Sequence, residues 1–156
     1  RTYSLLTQVS GRAGRFFEGG KVIIQTYRPD NYAITCAARN DEEGFYSREL
    51  SFRQGMGFPP FSRLFRFVFR SRDREKACNA AAEFAGRLKA SSSGLFNVMG
   101  PAEAPIAVLS DNHRYQIIVN TSDFSCSHSI LASLAGQFRT PFGVYMESDV
   151  DPVNLM

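Results

Sequence analysis

The residues with the clearest chemical potential stand near the start of the chain, in QVSGRAGR, residues 8–15. Arg12 and Arg15 follow Gly11 and Gly14, and Gln8 lies upstream of both pairs. A guanidinium is planar and permanently charged, and its donors match phosphate oxygens. Inserted from a neighbouring lobe, it stabilises the charge that develops on a γ-phosphoryl group during nucleotide hydrolysis, an effect of about 10³ to 10⁵ in rate. Glycines beside it permit close backbone approach. The plainer alternative is that both arginines offset the C-terminal dipole of a preceding helix, contributing about 0.3 to 1 kcal/mol. A second set of cations, Arg63, Arg66, Arg70 and Arg114, alternates with aromatic or apolar residues, Tyr115 among them. A sheet face presenting Arg and Tyr holds single-stranded nucleic acid through phosphate contacts and base stacking, the latter about 1 to 3 kcal/mol per base.

The elements that must position these groups divide near QGMGFPP, residues 54–60, where two glycines and a proline pair break the pattern. Before it, Tyr3, Leu5, Leu6 and Val9 predict a short amphipathic helix ending near Gly11 or Gly14. KVIIQTY, residues 21–27, reads as a buried strand. Asp30 is expected to cap a helix through Ala38, and a second helix from Asp41 to about Phe52 carries Asp41, Glu42 and Glu43 where its dipole favours carboxylates.

After the break, residues 63–70 alternate with period two. Phe65, Phe67 and Phe69 fall on one face, and Leu64, Arg66, Val68 and Arg70 on the other. Three large rings on one face bury too much area to remain in water, so this stripe is expected in the core. Ala77, Ala80, Ala81, Phe84, Ala85 and Leu88 recur at helical spacing before a Ser-Ser-Ser-Gly loop. Strands follow over 104–109 and 115–120 with a hairpin turn at Ser110–His113, then a helix carrying Ile130, Leu131, Leu134, Ala135 and Phe138, and a last strand over 144–148. The predicted order is strand, helix, strand, strand, helix, strand, the split βαβ arrangement. Asp123, Ser125, Ser127 and His128 read as a polar loop rather than a catalytic triad. Asp149 and Asp151 read as a turn before Pro152 rather than a cation site.

Composition narrows the classes. With 44% hydrophobic and 21% charged residues, 14 Phe and no Trp, the 156 residues suit a folded globular product. A net charge of +3 permits nucleic-acid binding without demanding it. Cys36, Cys78 and Cys126 lie far apart with no CxxC pair, which fits reduced structural thiols and no metal site. No run approaches the ~20 apolar residues that span a bilayer, so no membrane partner is expected. The opening at Arg1 reads as mid-helix, the mark of a piece of a longer chain. Gly19, Gly20 and Lys21 are followed by Val22, so this is not a phosphate loop, and no DExH-type Mg²⁺ site occurs.

Gln8, Gly11, Arg12 and Arg15 resemble the motif VI pattern, QxxGRxxR, of superfamily 2 helicases. The order that follows narrows the likeness: GGKVIIQTYRPDNYAI, then YSRELSFR, FPPFSRLFRF, VMGPAEAPIAVLSDNHRYQIIV and ESDVDP are similar to PriA-type primosomal helicases over nearly the whole chain. The resemblance implies an α+β protein in which residues 1–57 end a RecA-like helicase lobe and residues 58–156 form a small βαββαβ C-terminal domain. Arg15 would be the arginine finger and Arg12 a second phosphate contact. Gln8 and Gly11 would complete the nucleotide-binding set. The parent protein would be an ATP-dependent 3′ to 5′ DNA helicase of the cytoplasm and nucleoid, using ATP and Mg²⁺ to restart stalled forks and begin primosome assembly. Its partners would be forked or single-stranded DNA, the single-stranded DNA-binding protein and primosome components. The family's zinc-binding segment would lie upstream, and this chain alone is expected neither to hydrolyse ATP nor to bind zinc. Two alternatives stay open: a nonenzymatic nucleic-acid or protein-binding domain, and another superfamily 2 helicase.

Overall fold

A computed structural model describes residues 1–13 and 21–152. The chain divides into two compact units, Arg1–Met56 and Gly57–Met156. Gly14, Arg15, Gly19 and Gly20 lie outside the described residues.

The first unit is helical: α1 spans Thr2–Ala13, α2 Tyr32–Arg39 and α3 Glu42–Met56. Asn31, not Asp30, caps α2, its side chain accepting from the Ala33 amide at 2.9 Å. Helix α2 ends at Asn40 with φ of 53°, a left-handed position that Asn tolerates, and α3 follows at once. Helix α3 continues through Gly55 to Met56, past the expected end at Phe52. A small core gathers Tyr3, Ala33, Cys36 and Ala37, with the Tyr3 and Phe45 rings stacked 4.1 Å apart.

The strand expected over residues 21–27 does not form; the segment is irregular, with Ile23 and Tyr27 exposed. An apolar β-branched run satisfies its backbone as a strand only beside another strand. The described part of this unit supplies helices alone.

The second unit alternates β1 Arg63–Ser71, α4 Arg74–Ser91, β2 Asn97–Leu109, β3 Asn112–Thr121, α5 Phe124–Gln137 and β4 Tyr145–Val150. The sheet order is β2-β3-β1-β4, antiparallel throughout, so the expected split βαβ arrangement is present. Each helix follows a strand through an aspartate cap: Asp73 accepts from the Lys76 amide and Asp123 from the Cys126 amide, both at 3.1 Å. The Asp123 carboxyl is held below the usual range chiefly by that bond from the Cys126 backbone. Asp123 through His128 is thus the start of α5 rather than a loop, and Ser127 is buried against the Thr121 hydroxyl at 2.7 Å.

Strand β2 begins earlier than residues 104–109 suggest and bulges between Met99 and Ala102. Gly100 has φ of 101° there, and a Cβ on it would lie 2.8 Å from the Gln116 carbonyl oxygen, so the position requires glycine. The hairpin turn is tighter than expected. Ser110 and Asp111 both take positive φ, and β3 resumes at Asn112.

Phe65, Phe67 and Phe69 point into a core shared with Ala81, Phe84, Leu88, Ile117, Leu131 and Phe138. The rings of Phe67 and Phe84 meet edge-on at 5.0 Å, and those of Phe84 and Phe138 at 4.9 Å. The other face of β1 departs from simple alternation, because Leu64 and Val68 are buried too. Val68 lies in register with Gln116 and Glu147 and between Arg66 and Arg70, so long side chains shield it.

Candidate functional site

Helix α1 carries the first candidate group. Gln8, Gly11 and Arg12 fall one turn apart on the same helical face and, with Thr7, line an open cleft of about 310 Å³. All three are exposed, and nothing lies within 4 Å of a Cβ built on Gly11. An amide, a bare backbone and a guanidinium facing one cleft fit phosphate oxygens. Arg15, the expected arginine finger, lies outside the described residues. In the same unit the Tyr32 hydroxyl donates to Glu49, which also accepts from Arg53 at 2.7 Å. The Tyr32 bond is the main reason the Glu49 carboxyl sits below its usual range, with burial opposing and Arg53 assisting.

The second candidate group is built by strand register. With Phe65, Phe67 and Phe69 turned to the helices, Arg66 and Arg70 stand on the open face of β1. Arg70 pairs with Arg114 across β3 and with Tyr145 across β4, which places all three side chains on that face in one row. Its guanidinium lies 4.7 Å from the centre of the Tyr145 ring. Strand β4 also supplies carboxylates: Glu147 reaches Arg70 at 2.5 Å and Asp149 reaches Arg66 at 3.4 Å. The Arg114 side chain makes no ion pair among the described residues, although it stands directly opposite Arg70. Like charges in that position repel.

Two of the expected residues are elsewhere. Arg63 shares the parity of Phe65, so it lies on the helix side, over the Phe124 ring at 4.3 Å and ion-paired with Asp151. Asp149 and Asp151 therefore serve as partners of arginines across the sheet, beyond the simple turn expected. Tyr115 is buried on the helix side, where Arg74 donates to its hydroxyl at 3.2 Å and the hydroxyl meets Glu103 at 3.3 Å. The period-two rule already separates Tyr115 from Arg114, its neighbour in sequence.

Sequence reasoning missed the aromatic that does face the arginines, Tyr145, and with it Phe142, Arg72 and Lys76. These residues line an open groove of about 660 Å³ with Arg70. Phe142 between Pro141 and Gly143 carried a readable signal, a large ring inside a turn sequence. The pairing of Tyr145 with Arg70 had none, since register across distant strands is not a local property.

Among the described residues, no group of three or more His, Cys, Asp or Glu side chains is arranged to hold a metal ion. Cys36, Cys78 and Cys126 are free thiols. No described helix is long and apolar enough to cross a membrane.

Residues 54–153 match the family described as primosomal protein N C-terminal domain. The whole chain is 44% identical to replication restart protein PriA of Treponema pallidum, covering 24% of that protein. It is 34% identical to the PriA of Borreliella burgdorferi, again over 24% of its length, and 33% identical to that of Bacillus subtilis over 20%. The chain thus spans about a quarter or less of these relatives.

Proposed function

Because the chain belongs to the family of replication restart protein PriA, we propose that its second unit is a DNA-binding module of a fork-restarting helicase. Residues 1–57 are then the end of a RecA-like lobe, with Gln8, Gly11, Arg12 and Arg15 forming one wall of its ATP site. The other wall, with its phosphate loop and Mg²⁺ ligands, belongs to the rest of the parent protein. Bound ATP supplies the γ-phosphoryl group. Arg12 and Arg15 hold its oxygens and stabilise their growing charge. The parent is an ATP-dependent 3′ to 5′ helicase that meets forked or single-stranded DNA, the single-stranded DNA-binding protein and primosome components in the cytoplasm. Residues 58–156 supply DNA and partner contacts without hydrolysing ATP.

The juxtaposition of Arg70 and Arg114 carries the DNA reading. The two cations face each other across strands, and only Arg70 has a carboxylate partner among the described residues. A phosphate between them relieves the repulsion. The exposed Arg70–Glu147 pair, worth about 0 to 1 kcal/mol, resists exchange only weakly. Arg66, with a mostly buried side chain, holds the middle of the face.

The test is fluorescence anisotropy of the chain with forked, single-stranded and duplex DNA over a range of salt, with Arg114→Ala beside the wild type. Binding is expected to fall with salt, and the substitution to reduce the slope of log affinity against log salt by about 0.7 to 0.9. Absence of salt-dependent binding at low ionic strength, or an unchanged slope in the variant, removes the proposal.

A further inference from the structure

We infer that the groove between the end of β1 and the loop preceding β4 is a seat for one unpaired nucleotide, with Phe142 as its base-stacking surface. The inference rests on the DNA-binding reading of the second unit and adds a means of telling single-stranded from duplex DNA.

Phe142 is 98% exposed and Tyr145 57% exposed. Gly143, with φ of 81°, turns the chain between them, a conformation that costs glycine nothing. Beside these rings stand Arg70, Arg72 and Lys76. The one acidic residue lining the groove, Asp73, caps α4 by accepting from the Lys76 amide and also lies 3.9 Å from the Lys76 ammonium, an exposed pair that exchanges readily. Arg72 is exposed and makes no ion pair among the described residues. The groove's volume of about 660 Å³ lies within the usual range for small-molecule sites.

An apolar ring in water beside an excess of cations suits a ligand that is flat and apolar at one end and anionic at the other. A nucleotide of a single strand has that form. Its base stacks on a ring regardless of sequence, and its phosphate meets the guanidinium and ammonium groups. The position is continuous with the open face. Arg114, Arg70 and Tyr145 cross three neighbouring strands in one row, and Arg70 and Tyr145 also line the groove. A strand crossing the sheet along this row reaches Phe142 at its end. Bases held inside a duplex cannot offer a face there.

The experiment uses the 156-residue chain, a labelled oligothymidylate and an abasic oligomer of equal length, with Phe142→Ala, Phe142→Trp and Arg114→Ala. Phe142→Ala is expected to weaken oligothymidylate binding by about 5- to 150-fold, leave abasic binding unchanged and preserve the thermal unfolding profile. Phe142→Trp is expected to restore affinity. If Phe142→Ala binds oligothymidylate like the wild type while Arg114→Ala is weakened, the stacking site is overturned and the open-face reading stands, leaving the groove to protein partners. Equal weakening on both oligomers also overturns it, because the ring's effect is then independent of bases. If neither variant differs from the wild type, both readings fall together.

Discussion

The two units bury their side chains in different ways. In the second, one face of a four-stranded sheet closes under two helices. Phe67, Phe69, Phe84 and Phe138 interlock there with almost no exposure. In the first, three helices meet on Tyr3, Ala33, Cys36 and Ala37, and α3 has no buried residue along its whole length. The contrast extends to the candidate sites. Arg66, Arg70 and Arg114 are fixed by strand register on a well-packed platform. Gln8, Gly11 and Arg12 project from a helix held by a few contacts. A preorganised surface needs a stiff layer beneath it, and among the described residues the second unit supplies one.

Proteolysis probes the largest difference. The backbone of residues 21–28 joins no helix or strand, whereas Arg66 and Arg70 sit in a central strand of the sheet. Trypsin is expected to cut after Lys21, whose following residue is Val22, faster than within β1 by about a thousandfold or more, because cleavage in β1 requires global opening of the unit. Comparable rates, followed by mass spectrometry, break the contrast.

Core truncation comes next. Phe84→Ala empties the centre of the aromatic cluster and is expected to destabilise the second unit by about 3 to 5 kcal/mol in guanidinium denaturation. A loss near 1 kcal/mol would mean that this core collapses around the gap and is no stiffer than the helical unit.

The smallest effect concerns pH. The Glu49 carboxyl is depressed by the Tyr32 hydrogen bond, assisted by Arg53, against the opposing effect of burial. A carboxyl with a lowered native pKa contributes stability in full above its unfolded value of about 4.3 and loses it as pH falls through the native value. Protection of α2 and α3 amides from hydrogen exchange is therefore expected to decline with acid below about pH 4.3 in the wild type. In Glu49→Gln that part of the decline disappears. An identical acid profile in the variant assigns the loss to other groups.

Much of the second unit was legible because its signals are local. Alternation over β1, the alanine-rich periodicity of α4 and the turn residues after Leu109 each specify an element without reference to distant residues. The apolar run over residues 21–27 misled for the opposite reason. Its composition suits a strand, but a strand exists only with a neighbour, and neighbours are a tertiary property. Among site residues, parity in β1 put Arg66 and Arg70 on the face opposite the phenylalanines. Arg63 and Tyr115 share the chemistry of this set, but parity puts both on the helix side.

By itself, then, the amino-acid sequence determined the strand and helix order of residues 63–150, the identity of the phenylalanine core and the family. These follow from short-range periodicity and from motifs read along the chain. Tertiary structure alone decided that Arg70 faces Arg114 and Tyr145, that Glu147 and Asp149 temper two of the arginines, and that Phe142 overlooks a basic groove. The physical reason is register. Strands distant in sequence are matched residue by residue only when the whole sheet packs, and that matching chooses which charges and rings share a surface.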